Sequence, residues 1–134
     1  MIELKIININ TPQREILMDI TREINNIVSE SNIQNGVCRL FVPHTTAAIT
    51  INENADPSVK KDIINFLGKL IPQNAGFRHM EGNSDAHIKS TLVGPSLEIL
   101  INNKRLVLGT WQGIMFAEFD GPRNRKLHIQ LQGE

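Results

Sequence analysis

The sequence predicts an α+β domain, in which two helices pack on a mostly antiparallel sheet of about six to eight strands. Two segments carry the apolar spacing of a helix, and each follows a capping residue and a proline. Most other apolar segments are short or alternate with polar residues, as strands do. From Ala86 to Gln132 the chain reads as strands without another helix.

The first strand covers Ile2–Ile9, where apolar residues alternate with polar ones. Thr11-Pro12 then predicts the start of the first helix, and Asn35-Gly36 predicts its end. Its apolar residues recur at helical spacing along one face: Ile16, Ile20, Ile24, Ile27 and Val28.

Two strands and a second helix follow. The strands are Val37–Val42 and Thr45–Asn52, with Pro43-His44 between them. The helix begins at Asp56-Pro57 and ends before Pro72. Its expected inward-facing residues are Val59, Ile63, Phe66, Leu67 and Leu70.

A polar loop runs from Gln73 to about Ser84 and leads into the predicted strands of the second half. Asn102-Asn103 and Asp120-Gly121-Pro122 are the turn signals between these strands. The strands are Ala86–Val93, Ser96–Ile101, Arg105–Asp120 and Lys126–Gln132.

Composition excludes several functional classes. The length of 134 residues suits a single domain, 1–134. The 14 basic and 14 acidic residues leave no basic excess, so we expect no nucleic-acid partner. The single cysteine, Cys38, lies in an apolar stretch and is expected in the core. No apolar run is long enough for a membrane helix, and no signal peptide is visible, so we expect a cytoplasmic protein.

Standard nucleotide-binding and hydrolase motifs are missing, which leaves polar residues at strand spacing as the informative signal. His44, Thr46 and Asn52 share one face of the predicted strand, because side chains alternate along a strand. This face can form the floor of a pocket. The alternative is a solvated surface, with His44 as a surface or capping residue.

A second polar group surrounds the loop after the second helix. If a strand starts at Asp85, then Asp85, His87 and Lys89 line one face, opposite apolar neighbours. A carboxylate raises the basicity of a nearby imidazole, and a lysine favours bound anions. The alternative is a solvent-facing polar stripe. The loop adds His79, Glu81 and Asn83, which favours a site.

Three of these histidines can meet in space with a carboxylate. His44, His79 and His87 would then offer the ligands of a zinc or other divalent-metal site with one open position. Their spacing matches no recognised metal motif.

The segment from Gly109 to Arg125 is the third candidate. Strict alternation puts Gln112 and Glu118 on one face with Ile114 and Phe116. A carboxylate there would need a cation, a metal or a hydrogen-bond partner if buried. The alternative is a bulge that turns Glu118 outward. Arg123 and Arg125 flank the following turn and can bind phosphate oxygens bidentately.

Three motifs, taken in chain order, resemble those of the YjbQ family over essentially the whole chain. The first comprises residues 44–48, His-Thr-Thr-Ala-Ala, and 52–57, Asn-Glu-Asn-Ala-Asp-Pro; the second, 83–90, Asn-Ser-Asp-Ala-His-Ile-Lys-Ser, and 92–94, Leu-Val-Gly; the third, 109–113, Gly-Thr-Trp-Gln-Gly, and 118–123, Glu-Phe-Asp-Gly-Pro-Arg.

The resemblance implies a curved sheet, a homotrimer and a weak or secondary thiamine-phosphate synthase activity. That reaction joins a pyrimidine diphosphate to a thiazole phosphate and releases pyrophosphate. The expected catalytic residues are Glu118, Asp85, Lys89 and Gln112; the substrate- and phosphate-binding residues are Asn52, Thr46, Asn83 and Arg123; the ligands of a divalent metal, zinc or magnesium, are His44, His79 and His87. The alternative is a non-catalytic trimer that binds a metal or a small phosphorylated metabolite.

Overall fold

The structure is a computed structural model that describes residues 1–134 and contains three helices and eight strands. The helices are α1 (Thr21–Glu30), α2 (Pro57–Leu70) and α3 (Ser84–Val93). The strands are β1 (Ile2–Asn10), β2 (Ile16–Asp19), β3 (Gly36–Phe41), β4 (Ala47–Glu53), β5 (Ser96–Asn102), β6 (Arg105–Leu106), β7 (Gln112–Glu118) and β8 (Asn124–Gly133). The predicted α+β class is confirmed.

The strands form two antiparallel sheets. One has five strands in the order β1-β8-β3-β5-β6, and the other has three in the order β2-β7-β4. In the first sheet the longest pairing joins β1 to β8, from Ile2 opposite Gln132 to Asn10 opposite Asn124. In the second sheet β7 lies in the middle and pairs along its whole length with β4.

The three-stranded sheet is covered on both faces. Ile114 and Phe116 of β7 join a core cluster that also contains Leu127 and Ile129 of the five-stranded sheet and Ile24 of α1. Met115 and Ala117, on the opposite face of β7, belong to a second cluster. Its other buried residues are Leu17 of β2, Ala48 of β4, Ala86 of α3 and Phe119. Partly buried residues of α2 and α3 pack against it: Ile63, Ile64, Leu67 and Val93. A strand buried on both faces reads as a continuous apolar run, as β7 does.

The first helix is shorter than the sequence predicts. Residues Thr11–Ile20 are not helical: Ile16–Asp19 form β2, which pairs with β7, and the helix begins only at Thr21. The backbone of the preceding segment is bound to the turn after β7, through Thr11 N to Arg123 O at 2.9 Å and Gly121 N to Arg14 O at 3.0 Å. The tertiary pairing therefore overrides the helical spacing of Ile16 and Ile20, and the predicted start of this helix is wrong.

The predicted strand Ala86–Val93 is wrong as well, because residues Ser84–Val93 form α3. The buried residues of this helix are Asp85, Ala86, Lys89 and Ser90. Three of these four are polar, so neither the apolar period of a helix nor that of a strand is visible in the sequence. The count of helices is three instead of two.

Helix α2 begins where the sequence predicts, but it turns a different face toward the sheet from the predicted one. Asp56 caps it by accepting hydrogen bonds from Ser58 N at 2.9 Å and Ser58 Oγ at 2.7 Å. No residue of α2 is fully buried, and the expected inward orientation of Phe66 and Leu70 is wrong, since they are 65% and 59% exposed. No helix of the protein combines the length and the apolar character that crossing a membrane requires.

These placements predict very different costs for two truncations. Ile24→Ala empties a fully buried position and should lower the free energy of unfolding by about 2–5 kcal/mol. Phe66→Ala removes more atoms but from an exposed position, so we expect a loss below about 1 kcal/mol. Urea denaturation followed by circular dichroism measures both. A greater loss for Phe66→Ala would contradict the position of α2.

Candidate functional site

A cleft of about 450 Å³ opens where α3, the loop before it and the turn after β7 meet. None of the residues that line it is hydrophobic. We call it the polar cleft, and its lining residues are Thr45, Thr46, His79, Glu81, Asn83, His87, Asp120 and Arg123.

Segments far apart in the sequence bring these residues together. The two threonines directly precede β4, and Asp120 and Arg123 lie in the turn between β7 and β8. Residues 79–83 belong to the loop that leads into α3, and His87 lies in the first turn of that helix. Because β4 and β7 pair from Ala47 opposite Glu118, the residues just outside this end of the sheet are neighbours.

Arg123 and Asn83 both bind Asp120 within the polar cleft. Asn83 Nδ2 donates to Asp120 Oδ2 at 2.9 Å, and Arg123 Nη2 donates to the same oxygen at 3.1 Å. Arg123 Nε donates to the Asp120 carbonyl at 2.9 Å. The arginine side chain remains half exposed, and Asn83 Oδ1 is buried without a hydrogen-bond partner. The Nη1 edge of the guanidinium, which has no partner in the chain, is therefore available to a ligand.

The structure brings together two of the three predicted metal-binding histidines. The rings of His79 and His87 meet edge to face, with centroids 5.5 Å apart, and Glu81 lies 3.7 Å from His79 Nε2. His44 does not line the polar cleft, and its Nε2 accepts a hydrogen bond from Lys126 N at 2.9 Å. Partial burial and the nearby Arg125 lower the pKa of His44, so it favours the neutral form.

Nowhere in the chain do three His, Cys, Asp or Glu side chains converge in a way that could hold a metal ion. A structural or catalytic zinc site normally takes three or four protein ligands. The side chains of the single chain therefore do not fit the zinc site that the three histidines predict.

Glu118 is fully buried at the edge of the polar cleft, and Arg125 is its partner. Arg125 Nε donates to Glu118 Oε1 at 2.8 Å, and Nη2 donates to Oε2. Thr11 Oγ1 and Asp120 N also donate to this carboxylate, at 2.8 and 3.0 Å. Burial raises the pKa of Glu118, but these hydrogen bonds outweigh burial and lower the pKa below its usual value. The carboxylate is thus held ionised without lining the cleft.

Asp85 and Lys89 lie on the buried side of α3, one turn apart, in a cluster with Arg14 and Glu15. Lys89 Nζ is 2.7 Å from Glu15 Oε1 and 3.0 Å from Asp85 Oδ2. The guanidinium of Arg14 contacts the same two carboxylates, at 2.8 and 3.1 Å. We call these four residues the buried ion cluster, after the buried Asp85 and Lys89; the side chains of Arg14 and Glu15 are 33% and 18% exposed. Each cation contacts both anions, and none of the four residues lines the polar cleft.

Two further predicted residues lie away from the polar cleft. Asn52 is exposed near the far end of β4, six residues beyond Thr46, which is about 20 Å along a strand. Its Oδ1 accepts from Glu53 N at 2.7 Å. Gln112 is exposed at the same end of the sheet and accepts from Gly109 N at 2.8 Å. Asn52 thus bonds its neighbour within β4, and Gln112 bonds the loop before β7.

Of the predicted site residues, the polar cleft contains Thr46, Asn83, Arg123, His79 and His87. The sequence reasoning missed Asp120, Thr45 and the partnership of Arg125 with Glu118. The spacing of Asp85 and Lys89 was a signal for helix α3 and for their ion pair, since residues four apart share a helix face and can pair.

The chain matches the family model described as "UPF0047 protein YjbQ-like" over residues 5–134. It belongs to the YjbQ family. Within this family, UPF0047 protein MJ1081 of Methanocaldococcus jannaschii is 60% identical over 94% of this chain and 91% of its own length. UPF0047 protein YugU of Bacillus subtilis is 50% identical over 97% of this chain and 99% of its own.

The fold agrees with solved structures of YjbQ-like proteins. A YbjQ-like protein of Sulfolobus solfataricus superposes with a TM-score of 0.96 at 33% identity, over 100% of this chain and 99% of that one. A yjbq/upf0047 family protein of Clostridium acetobutylicum gives a TM-score of 0.93 at 48% identity, over 96% and 99% of the two chains. The predicted family membership is confirmed.

The buried ion cluster should make Lys89 costly to replace. Lys89→Met leaves Asp85 and Glu15 sharing one cation, so we expect the free energy of unfolding to fall by about 3–5 kcal/mol. The exposed Lys61→Met is the matched control, with an expected change below about 0.5 kcal/mol. Urea denaturation at neutral pH measures both. Equal stability of Lys89→Met and the wild type would show that the ammonium group is not buried among carboxylates.

The lowered pKa of Glu118 predicts acid sensitivity. Its pKa is lower in the folded than in the unfolded protein, so its stabilisation is complete above the unfolded value of about 4.3. The stabilisation is lost as the pH falls through the lower folded value. Glu118→Gln should therefore be less stable than the wild type at pH 7, and the difference should narrow near pH 3.

Urea midpoints at both pH values test this, with the half-exposed Glu98→Gln as control. A difference between Glu118→Gln and the wild type that widens on acidification has the wrong sign for a carboxylate held ionised.

Proposed function

We propose that this YjbQ-family protein is a transferase of the thiamine-phosphate synthase kind, and that the polar cleft binds the phosphate groups of its substrates. The observation that carries the proposal is the lining of the cleft, which combines donors on Arg123, two histidines and two threonines with two carboxylates and no hydrophobic residue. Sites for apolar ligands are lined mainly by hydrophobic and aromatic side chains. The donors suit an anion that is rich in oxygen, and the carboxylates suit a cation bound with it.

Arg123 is the principal phosphate ligand in this proposal. Its bonds to Asp120 hold the guanidinium in place through Nε and Nη2, and Nη1 remains for a phosphate oxygen. Guanidinium groups bind phosphate by charge-assisted hydrogen bonds. His79, His87 and the threonine hydroxyls add donors around the same space. Lys89, which the sequence suggested for this role, is instead engaged by Glu15 and Asp85.

The proposed reaction needs charge stabilisation more than acid–base chemistry. The bond between the pyrimidine methylene carbon and the diphosphate oxygen breaks, and pyrophosphate leaves with the electron pair. The thiazole nitrogen then supplies its lone pair to the methylene carbon, which forms the new C–N bond. Arg123 and the two histidines stabilise the charge that develops on the leaving oxygen, as preorganised donors do.

We include a divalent metal in the proposal only as magnesium that binds with the diphosphate. Magnesium commonly uses one or two protein carboxylates together with substrate phosphates. Asp120 and Glu81 line the polar cleft and would hold it. The metal would neutralise phosphate charge there.

A second candidate is a non-catalytic protein that binds a phosphorylated metabolite. The absence of hydrophobic residues from the polar cleft favours it, because two aromatic substrate rings need apolar walls. The nearest candidates for such walls are exposed: Met80 between His79 and Glu81, and Ile88 and Leu92 on α3. A catalytic site requires these side chains, or those of another subunit, to enclose the rings.

We also propose a homotrimer, which the family resemblance implies. The outer face of the five-stranded sheet supports it, since this face leaves large apolar residues exposed: Ile2, Leu4, Ile6, Phe41 and Leu100. They lie on β1, β3 and β5, on either side of the outward-facing His128, Gln130 and Gln132 of β8. Exposed apolar groups bordered by polar residues are found at association surfaces. A monomer by light scattering at micromolar concentration would contradict this assembly.

The deciding experiment measures turnover of the two thiamine precursors, by release of pyrophosphate and formation of thiamine phosphate, with magnesium and with chelator. Arg123→Met should lower kcat/KM about 100-fold, because it removes a donor to the leaving group. Arg105→Met, at an exposed position of β6 away from the cleft lining, is the matched control and should leave turnover within about twofold of the wild type.

Saturable binding of pyrophosphate without product would select the second candidate. Wild-type protein that neither binds pyrophosphate nor forms product would overturn both.

A further inference from the structure

Three residues of the polar cleft form hydrogen bonds with buried side chains that do not line it. The cleft residues are Thr46, Asp120 and Arg123, and the side chains behind them are Glu118, Arg125 and Thr11. The latter three are at least 95% buried, with exposures of 0%, 3% and 5%.

Arg125 fixes Thr46. Its Nη2 donates to Thr46 Oγ1 at 2.7 Å and to the Thr46 carbonyl at 3.2 Å. Because the hydroxyl oxygen accepts from Arg125, its own proton is free to be donated to another group. Arg125 thus sets Thr46 as a hydrogen-bond donor, which is the role that a phosphate oxygen requires.

Glu118 and Thr11 fix both ends of the turn that carries Asp120 and Arg123. Asp120 N donates to Glu118 Oε2 at 3.0 Å, and Arg123 N donates to Thr11 Oγ1 at 3.0 Å. Thr11 N completes the attachment by donating to the Arg123 carbonyl at 2.9 Å. The position of the guanidinium of Arg123 therefore depends on two bonds made by buried groups.

Gly121 shows how closely this turn lies on the buried groups. A Cβ atom at Gly121 would come within 2.4 Å of the Gln13 carbonyl oxygen. It would also come within 2.9 Å of Glu118 Cγ and of Thr11 Oγ1. The turn is therefore seated directly on Glu118 and Thr11, without intervening space.

The hydroxyl of Thr11 links the charge of Glu118 to Arg123. Its oxygen accepts from Arg123 N at 3.0 Å and lies within donating distance of Glu118 Oε1, at 2.8 Å, and of the Arg123 carbonyl, at 3.0 Å. Apart from the bonds within the pair, every side-chain hydrogen bond of Glu118 and Arg125 ends on Thr11 or on a residue of the polar cleft. The bonds that satisfy this buried pair are therefore the same bonds that attach it to the polar cleft.

We propose that the Glu118–Arg125 pair and Thr11 form a positioning unit for the phosphate groups in the polar cleft. Thr11, which touches no ligand, is a positioning residue for Arg123 in this unit. The inference rests on the proposed phosphate binding. It changes the expected role of Glu118, which acts through Asp120, Thr11 and Arg125 instead of touching the substrate.

The test compares two variants of Thr11 by titration calorimetry with pyrophosphate and with inorganic phosphate. Thr11→Val keeps the shape but removes the hydroxyl, and we expect the Kd for pyrophosphate to rise about tenfold. Thr11→Ser keeps the hydroxyl and should stay within about threefold of the wild type. Both variants change one buried side chain by a few atoms, so the folded protein should persist at 25 °C.

Ser31→Ala is the matched control for a merely structural role. Ser31 is as buried as Thr11, and its hydroxyl donates to the Val28 carbonyl at 2.7 Å, far from the polar cleft in the loop after α1. We expect a lower Tm for both Ser31→Ala and Thr11→Val, but a weaker affinity only for Thr11→Val. Amide hydrogen exchange at Asp120 and Arg123 adds a readout that needs no ligand, and it should accelerate in Thr11→Val relative to the rest of β7 and β8.

The outcomes separate the two proposals. Unchanged pyrophosphate affinity of Thr11→Val, beside normal binding by the wild type, overturns the positioning unit and leaves the phosphate site standing. If the wild type binds neither anion, the proposed function fails, and phosphate positioning fails with it. Accelerated exchange at Asp120 and Arg123 in Thr11→Val would then support only the attachment of the turn to Thr11 and Glu118. Unchanged exchange would overturn that attachment as well.

Discussion

The pairing of Glu118 with Arg125 is the contact on which the rest of the site depends. Strand β7 is buried on both faces, so a carboxylate at its end has no water to solvate it. An ionised group in such a place is stable only with a counter-charge and a full set of hydrogen bonds. Arg125 supplies the charge, and Thr11 and the Asp120 amide supply the remaining donors. The requirement to satisfy one carboxylate thus attaches the segment at Thr11 to the end of β7, where the turn to β8 begins, 107 residues away in the sequence.

The buried ion cluster is a second solution to the same problem. In the Glu118–Arg125 pair, neutral donors supply the remaining hydrogen bonds of one carboxylate. In the buried ion cluster, each of two carboxylates contacts both cations. Burial raises the pKa of Asp85, but the bonds from Arg14 and Lys89 outweigh it and lower the pKa. The cluster fixes α3 against the segment before β2, and α3 carries His87 to the polar cleft. Charges outside the polar cleft therefore help to position a residue that lines it.

The sequence predicted those parts of the fold whose signals are local. Asp56-Pro57 identified the start of α2, because an N-cap and a proline act within one turn. The segments at Ile16 and at Ala86 were assigned wrongly, because their conformations depend on partners elsewhere in the chain: β7 for the first and buried charges for the second. The candidate site shows the same contrast between local signals and contacts with distant parts of the chain. Alternation put Thr46 and Asn52 on one face of a strand, but β4 begins only at Ala47, and alternation carries no information about which end of a strand closes a cleft.

The pairing of β1 with β8 has a consequence for how the protein acquires its structure. These strands form the longest ladder of the five-stranded sheet, and Ile2 lies opposite Gln132. β8 also pairs with β3, so β1 has no neighbour in the sheet until almost the whole chain has been made. Closing so large a loop is entropically unfavourable, and topologies dominated by distant contacts fold slowly. The edge of β1, with its alternating isoleucines and leucine, is thus exposed for much of biosynthesis and is the segment where a nascent chain most needs protection from aggregation.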